Sequence, residues 1–147
     1  MRKFTYQILY ILFLLVTVCA CSGNLDIQRM YAFDLQTMPV PKRTSQGETV
    51  EIRCELVKEG NYSGAKFFIR YFQTDGKGEL RLGDSTLLVP NDLFLLENDV
   101  FRLYFTSLSD EQQAIDVYIE DSFRQVVQKR FTFSNISEKE EDEENEE

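Results

Sequence analysis

The sequence predicts an all-β fold: an immunoglobulin-like or fibronectin-III-like antiparallel β-sandwich of seven to eight strands. Three observations predict it. From Tyr31 onward, short apolar segments recur every eight to fifteen residues between turn-forming residues. Within those segments apolar and polar residues alternate, which lays one strand face on a core and leaves the other in water. After the first thirty residues no stretch carries the apolar stripe of an amphipathic helix.

In chain order, Tyr31, Phe33, Leu35 and Thr37 line one side of a first strand over 31–38. Pro39-Val40-Pro41 ends it, because proline cannot donate to a strand ladder. Over 48–58, Val50, Ile52, Cys54 and Leu56 alternate with Glu51, Arg53 and Glu55, a strand with one wet face. Glu59-Gly60-Asn61 turns the chain into a third strand, 66–73, with Phe67, Ile69 and Tyr71 inward and Phe68 and Phe72 bracketing Arg70 on the other side. Asp75-Gly76-Lys77-Gly78 is a reverse turn; it lacks the further oxygen ligands of a calcium loop. Short pieces follow at 80–82 and 86–89, then 93–96, which the pattern leaves open between a strand and a helical turn. Strands at 100–107, 115–121 and 123–133 close the domain, with a turn near Asp121-Ser122.

Cys54 falls where antibody-type domains place the first cysteine of their inter-sheet bridge, yet the sixth strand offers only Ile115, Val117 and Ile119 opposite it. It is expected to be a buried free thiol. If the third and sixth strands adjoin, Phe68, Arg70, Phe72 and Tyr118 share one outer face. Aromatics around an arginine are the ingredients of a protein-binding hot spot. The competing expectation is that the N-terminal segment or a loop covers them.

The N-terminus has a different grammar. Arg2 and Lys3 precede nine apolar residues, 8–16, too few to span a bilayer. Val18-Cys19-Ala20-Cys21 then resembles a bacterial lipoprotein signal cut before a lipid-modified cysteine. The segment 1–20 is therefore read as signal peptide, Cys21 as the lipidated residue, and 21–30 as anchor and linker. The domain occupies 31–135. The alternative is an ordinary secretory signal with Cys21 incidental. Two or three acyl chains hold a protein firmly where one is marginal.

Composition excludes several classes of function. The 147 residues contain no histidine, so a Ser-His-Asp or Cys-His nucleophile cannot be built, and most zinc and non-haem iron sites are excluded. The formal charge of −9 opposes direct nucleic-acid binding. No cofactor and no metal site are expected. Residues 138–147 hold eight acids, a density that cannot bury a core, so 136–147 is read as an acidic, disordered tail.

Two stretches carry a family resemblance: Asn98-Asp99-Val100-Phe101-Arg102-Leu103-Tyr104-Phe105, and Ile115-Asp116-Val117-Tyr118-Ile119-Glu120-Asp121-Ser122-Phe123. With the lipobox and the strand pattern, they resemble the TraQ-type lipoproteins encoded in conjugative transposons of Bacteroidetes, from about Phe33 to Phe133. The resemblance implies membership of a transfer locus whose products build a mating channel, and an inner-membrane lipoprotein facing the periplasm. It offers no catalytic motif to carry over. The expectation is a non-enzymatic, lipid-anchored envelope protein that contacts other proteins of a conjugation apparatus and does not touch nucleic acid. The alternative is a surface module binding glycan or protein. An envelope hydrolase would need paired carboxylates, for which Asp116 and Glu120 alternate along a solvent face.

Overall fold

Period-two alternation fixes which side of each strand is apolar, and burying those sides against one another builds the architecture. The computed structural model describes residues 6–7 and 30–135. The expected lipidation site Cys21, most of the expected signal segment, the expected linker up to residue 29 and the acidic stretch from 136 onward lie outside the described residues.

Ten strands form among the described residues: β1 (Phe33–Thr37), β2 (Arg43–Thr44), β3 (Thr49–Lys58), β4 (Phe67–Asp75), β5 (Gly78–Leu82), β6 (Thr86–Leu88), β7 (Phe94–Leu96), β8 (Val100–Ser107), β9 (Gln113–Asp121) and β10 (Val126–Asn135). They make two five-stranded sheets, in the orders β1-β3-β8-β5-β6 and β2-β10-β9-β4-β7. All pairs are antiparallel except β2 with β10. The first four strands of one sheet take the A-B-E-D places of an immunoglobulin-like sandwich, and β10-β9-β4 take G-F-C.

The count exceeds the seven or eight of the pattern because very short edge strands form as well. Pro39-Val40-Pro41 carries the chain from β1, at the edge of one sheet, to β2, at the edge of the other. The segment 93–96, ambiguous by pattern, becomes β7 because the free edge of β4 pairs with it: Phe68 faces Leu95 and Ile69 faces Phe94. Phe123 belongs to the turn before β10 rather than to the strand.

The turn after Asp75 is a corner between sheets, since β4 and β5 are not neighbours. Gly76 adopts φ +69°, which an L side chain rarely tolerates. Gly78 lies flat against the Phe105 ring, and a Cβ there would collide with it.

Leu35, Ile52, Ile69, Leu80, Leu103, Ile115, Val117 and Ile119 are fully shielded between the sheets. Phe105 of β8 and Phe133 of β10 stack across the interior at 5.1 Å and 7°. Cys54 is a free, buried thiol, and burial pushes it up to about 12 against the opposing influence of Lys129. Gln113 is fully buried too; its Nε2 donates to Ser109 Oγ and the Glu111 carbonyl, both at 2.9 Å.

The register also fixes the poles. Phe33 pairs with Lys58 and Val126 with Glu120, so the chain enters β1 beside the β3–β4 and β9–β10 turns. β10 runs away from that pole, and Asn135 leaves at the other end, beside Thr44.

Candidate functional site

The two outer faces differ in kind. On the first sheet, Glu51, Arg53, Glu79, Arg81 and Arg102 point outward and form exposed ion pairs: Arg53–Glu51 at 3.3 Å, Arg102–Glu51 at 3.1 Å and Arg81–Glu79 at 4.0 Å. Such pairs hold little energy and mark a solvated surface.

On the second sheet, three outward residues of β4 and β9 are aromatic: Phe68, Phe72 and Tyr118. β4 and β9 do adjoin, with Arg70 directly opposite Tyr118. Phe68, Arg70, Phe72 and Tyr118 therefore share the outer face, each half-buried. Phe72 and Tyr118 meet edge to face at 5.5 Å and 86°. The Arg70 guanidinium lies 5.9 Å from the Phe72 ring centre and 5.6 Å from that of Tyr118, within range for attraction to both ring faces. Its Nη2 reaches Glu120 at 3.7 Å, while its Nε is shielded and has no hydrogen-bond partner. Part of the rings' shielding comes from this mutual packing.

Pairing extends the face beyond the four residues seen in the sequence. Leu95, Phe68, Glu120 and Val126 form one row across β7, β4, β9 and β10, with Leu95 and Val126 both 49% exposed. The next row contains Arg70, Tyr118 and Gln128, and the third Phe72, Asp116 and Arg130. Sequence reasoning misses Leu95 because its segment is ambiguous by pattern, and Val126 because nothing local says which strand lies beside β10.

Asp116 departs from the expectation of a solvated acid. It stands on the outer face, as its parity requires, but it is not solvated: only 3% of it is exposed. Arg130 Nε and Nη2 donate to its two carboxylate oxygens, both at 2.7 Å, a bidentate clamp. The burial is shallow, a lid of neighbouring side chains at the surface rather than depth in the core. Hydrogen bonds from Arg130 hold the Asp116 carboxyl below the usual carboxylate range, against the upward push of burial. The same contact raises Arg130 further. Asp116 and Glu120 lie four residues apart along one strand, roughly 13 Å, beyond the ~5–9.5 Å separation of glycosidase carboxylates.

Asp121 is an architectural acid. Its Oδ1 accepts from the backbone of Phe123 and Gln125, both at 2.8 Å, and its Oδ2 from Gln125 Nε2 at 2.7 Å, which shapes the turn into β10. Among the described residues no three metal-ligating side chains gather, and no helix is long and apolar enough to cross a membrane.

Comparison with known proteins gives a consistent picture. The family model described as TraQ conjugal transfer protein matches residues 4–136. The fold is similar to a conjugative transposon lipoprotein from Bacteroides eggerthii, with 46% identity, TM-score 0.68, and coverage of 72% of this chain and all of that one. It is also similar to a lipoprotein from Bacteroides thetaiotaomicron (53% identity, TM-score 0.67, 81% of this chain and 92% of that one). A conjugate transposon protein from Bacteroides vulgatus matches at 45% identity and TM-score 0.65, over 79% of this chain and 94% of that one. The sequence matches none of the curated proteins.

Proposed function

Because the chain belongs to the TraQ conjugal transfer family, we propose that it is a lipid-anchored, non-enzymatic component of a conjugation apparatus. Its role in this reading is to engage other envelope proteins through the aromatic outer face of the second sheet. The observation that carries the contact mechanism is the contrast between the two outer faces. One carries a mesh of exposed ion pairs, with Val57, Leu87 and Val100 scattered singly among them. The other presents Phe68, Phe72 and Tyr118 around Arg70, edged by Leu95 and Val126, with its charges already paired to one another. Desolvating such a surface strands no lone charge, which favours protein contact.

Three similar proteins are a lipoprotein, a conjugative transposon lipoprotein and a conjugate transposon protein, and the lipobox-like Val18-Cys19-Ala20-Cys21 supports the same anchoring here through Cys21. Envelope association follows from that reading, and we assign the anchor to the periplasmic face of the inner membrane. Cys21 precedes Met30 by nine residues, a reach of roughly 30 Å at full extension. The pole where β1 begins would thus stand nearest the bilayer, with the aromatic face turned sideways toward neighbouring extramembrane domains. The arginine partners of Asp116 and Glu120, and the distance between the two acids, support a non-catalytic role.

The test is the transfer frequency of the parent mobile element after in-frame deletion of this gene, complemented by wild type, by Cys21→Ala or by Phe68→Ser with Tyr118→Ser. Wild type should restore transfer. Cys21→Ala should leave the membrane fraction and fail to restore it, and the double variant should reach the membrane at normal abundance and still fail. Full complementation by the double variant would remove the aromatic face from the mechanism. Normal transfer after deletion would favour the glycan- or protein-binding module instead.

A further inference from the structure

The two sides of the sandwich are finished differently. The free N–H and C=O groups of an edge strand invite another strand, and proteins blunt such edges with prolines, charges or covering groups. On the β1–β2 side these devices are present. Lys129 Nζ and Gln125 Nε2 donate to the carbonyls of Leu35 and Tyr31, at 3.2 Å each, and Pro39 and Pro41 occupy the crossing between the two edge strands.

On the β6–β7 side a proline, Pro90, and an acid, Asp92, again stand in the crossing, and what is missing is a covering group. β6 and β7 terminate their sheets, and among the described residues no side chain hydrogen-bonds to the backbone of β7. Leu87, Val89, Leu93 and Leu95 are each about half exposed there, from 46% to 52%. Between β7 and the β5–β6 turn lies a groove of about 570 Å³ lined by Phe94, Leu96 and Phe101, with Asp84, Glu97 and Arg102 at its rim. Arg102 is engaged by Glu51 at 3.1 Å and also feels the charge of Asp84, so three acids share this one guanidinium or stand beside it. Among the described residues Asp84 and Glu97 belong to no salt bridge, so the rim is left with acidic character.

We propose that β7 takes up an extended segment of another protein as an added strand, with alternate apolar side chains seated in this groove and basic residues flanking them. The acids at the rim select the basic flanks, and the unpaired backbone selects a strand. A second copy of this chain fits less well. The exposed side chains here offer a few hundred Å², well under the ~800 Å² per partner of a stable globular interface. Strand addition draws its affinity from main-chain hydrogen bonds and needs less area. The surface is distinct from the aromatic face, although Leu95 borders both, and the inference stands whether or not that face docks a partner.

The test uses the full chain carrying Cys21→Ser, labelled with ¹⁵N and titrated with a synthetic peptide of alternating valine and threonine between terminal lysines. Amide shifts should concentrate at 93–98 and 82–86. The same peptide N-methylated at alternate residues on its pairing edge should bind about tenfold more weakly or worse, since it loses its main-chain donors. Tyr118→Ser, on a strand that does not touch β7, should leave the titration unchanged. The proposal is overturned by shifts centred on Phe68 and Tyr118, by equal binding of the N-methylated peptide, or by no shift at millimolar peptide. Dimerisation through β7 in sedimentation would overturn it as well.

Discussion

Removing the Cys54 thiol should change how stability depends on alkaline pH more than it changes stability itself. Cys54 is 2% exposed, and burial raises its thiol from 9.0 to about 12. The folded chain thus keeps the proton where the unfolded chain releases it. The contribution is fully present below pH 9 and is lost as pH climbs from 9 toward 12. Between those limits each pH unit removes up to about 1.4 kcal/mol, so the loss at pH 10 is on the order of 1.5 kcal/mol. Cys54→Ala leaves a small cavity costing about 1 kcal/mol near pH 7, but it also abolishes this alkaline loss. Wild type should therefore be the more stable protein at pH 7, and the two should converge near pH 10. Urea unfolding followed by circular dichroism at pH 7, 8.5, 9.5 and 10.5 measures both curves. Tyr71, also raised chiefly by burial, titrates in the same direction in both proteins and cancels from the difference. Parallel curves across the range would refute the argument and mean that the thiol ionises within the fold.

The remaining predictions concern packing and the clamp. A double-mutant cycle of Phe105→Leu and Phe133→Leu should give a coupling of about 0.5–1.5 kcal/mol from the stacked pair, measured by urea unfolding; a value near zero would dissolve the stack. Gly78→Val should cost about 1–3 kcal/mol, because its side chain must displace the Phe105 ring, and an unchanged melting temperature would contradict that contact. Asp116→Asn should weaken the protein at pH 7. Since the folded carboxyl lies below its ordinary 3.8, the stabilisation is present above about pH 4 and fades as pH falls below it. The two proteins should therefore draw together in acid, and a gap that stays constant down to pH 2 would assign the effect to packing.

Part of the candidate face is legible in the sequence alone. Phe68, Arg70 and Phe72 sit two residues apart on one strand, so alternation puts them on one side. Tyr118 requires a further assumption, that two strands almost fifty residues apart lie side by side. Leu95, Glu120 and Val126 are invisible as members of the face because their places depend on which neighbour each strand chooses. Asp116 is misread for a related reason: parity turns it outward correctly, but only the opposition of Arg130 on β10 shields its carboxylate.

By itself the sequence determined the class of fold, the inward residues of the long strands, the solitary state of Cys54 among the domain's strands and the exclusion of histidine chemistry. These are local properties, carried by period-two patterning and by composition. Tertiary structure decided the order of strands, the corner at Gly76, the edge strands β2 and β7, and which edge has its carbonyls covered by side chains. Those follow from contacts between distant segments, because a strand's alternation states which face is buried and is silent about which strand will lie beside it.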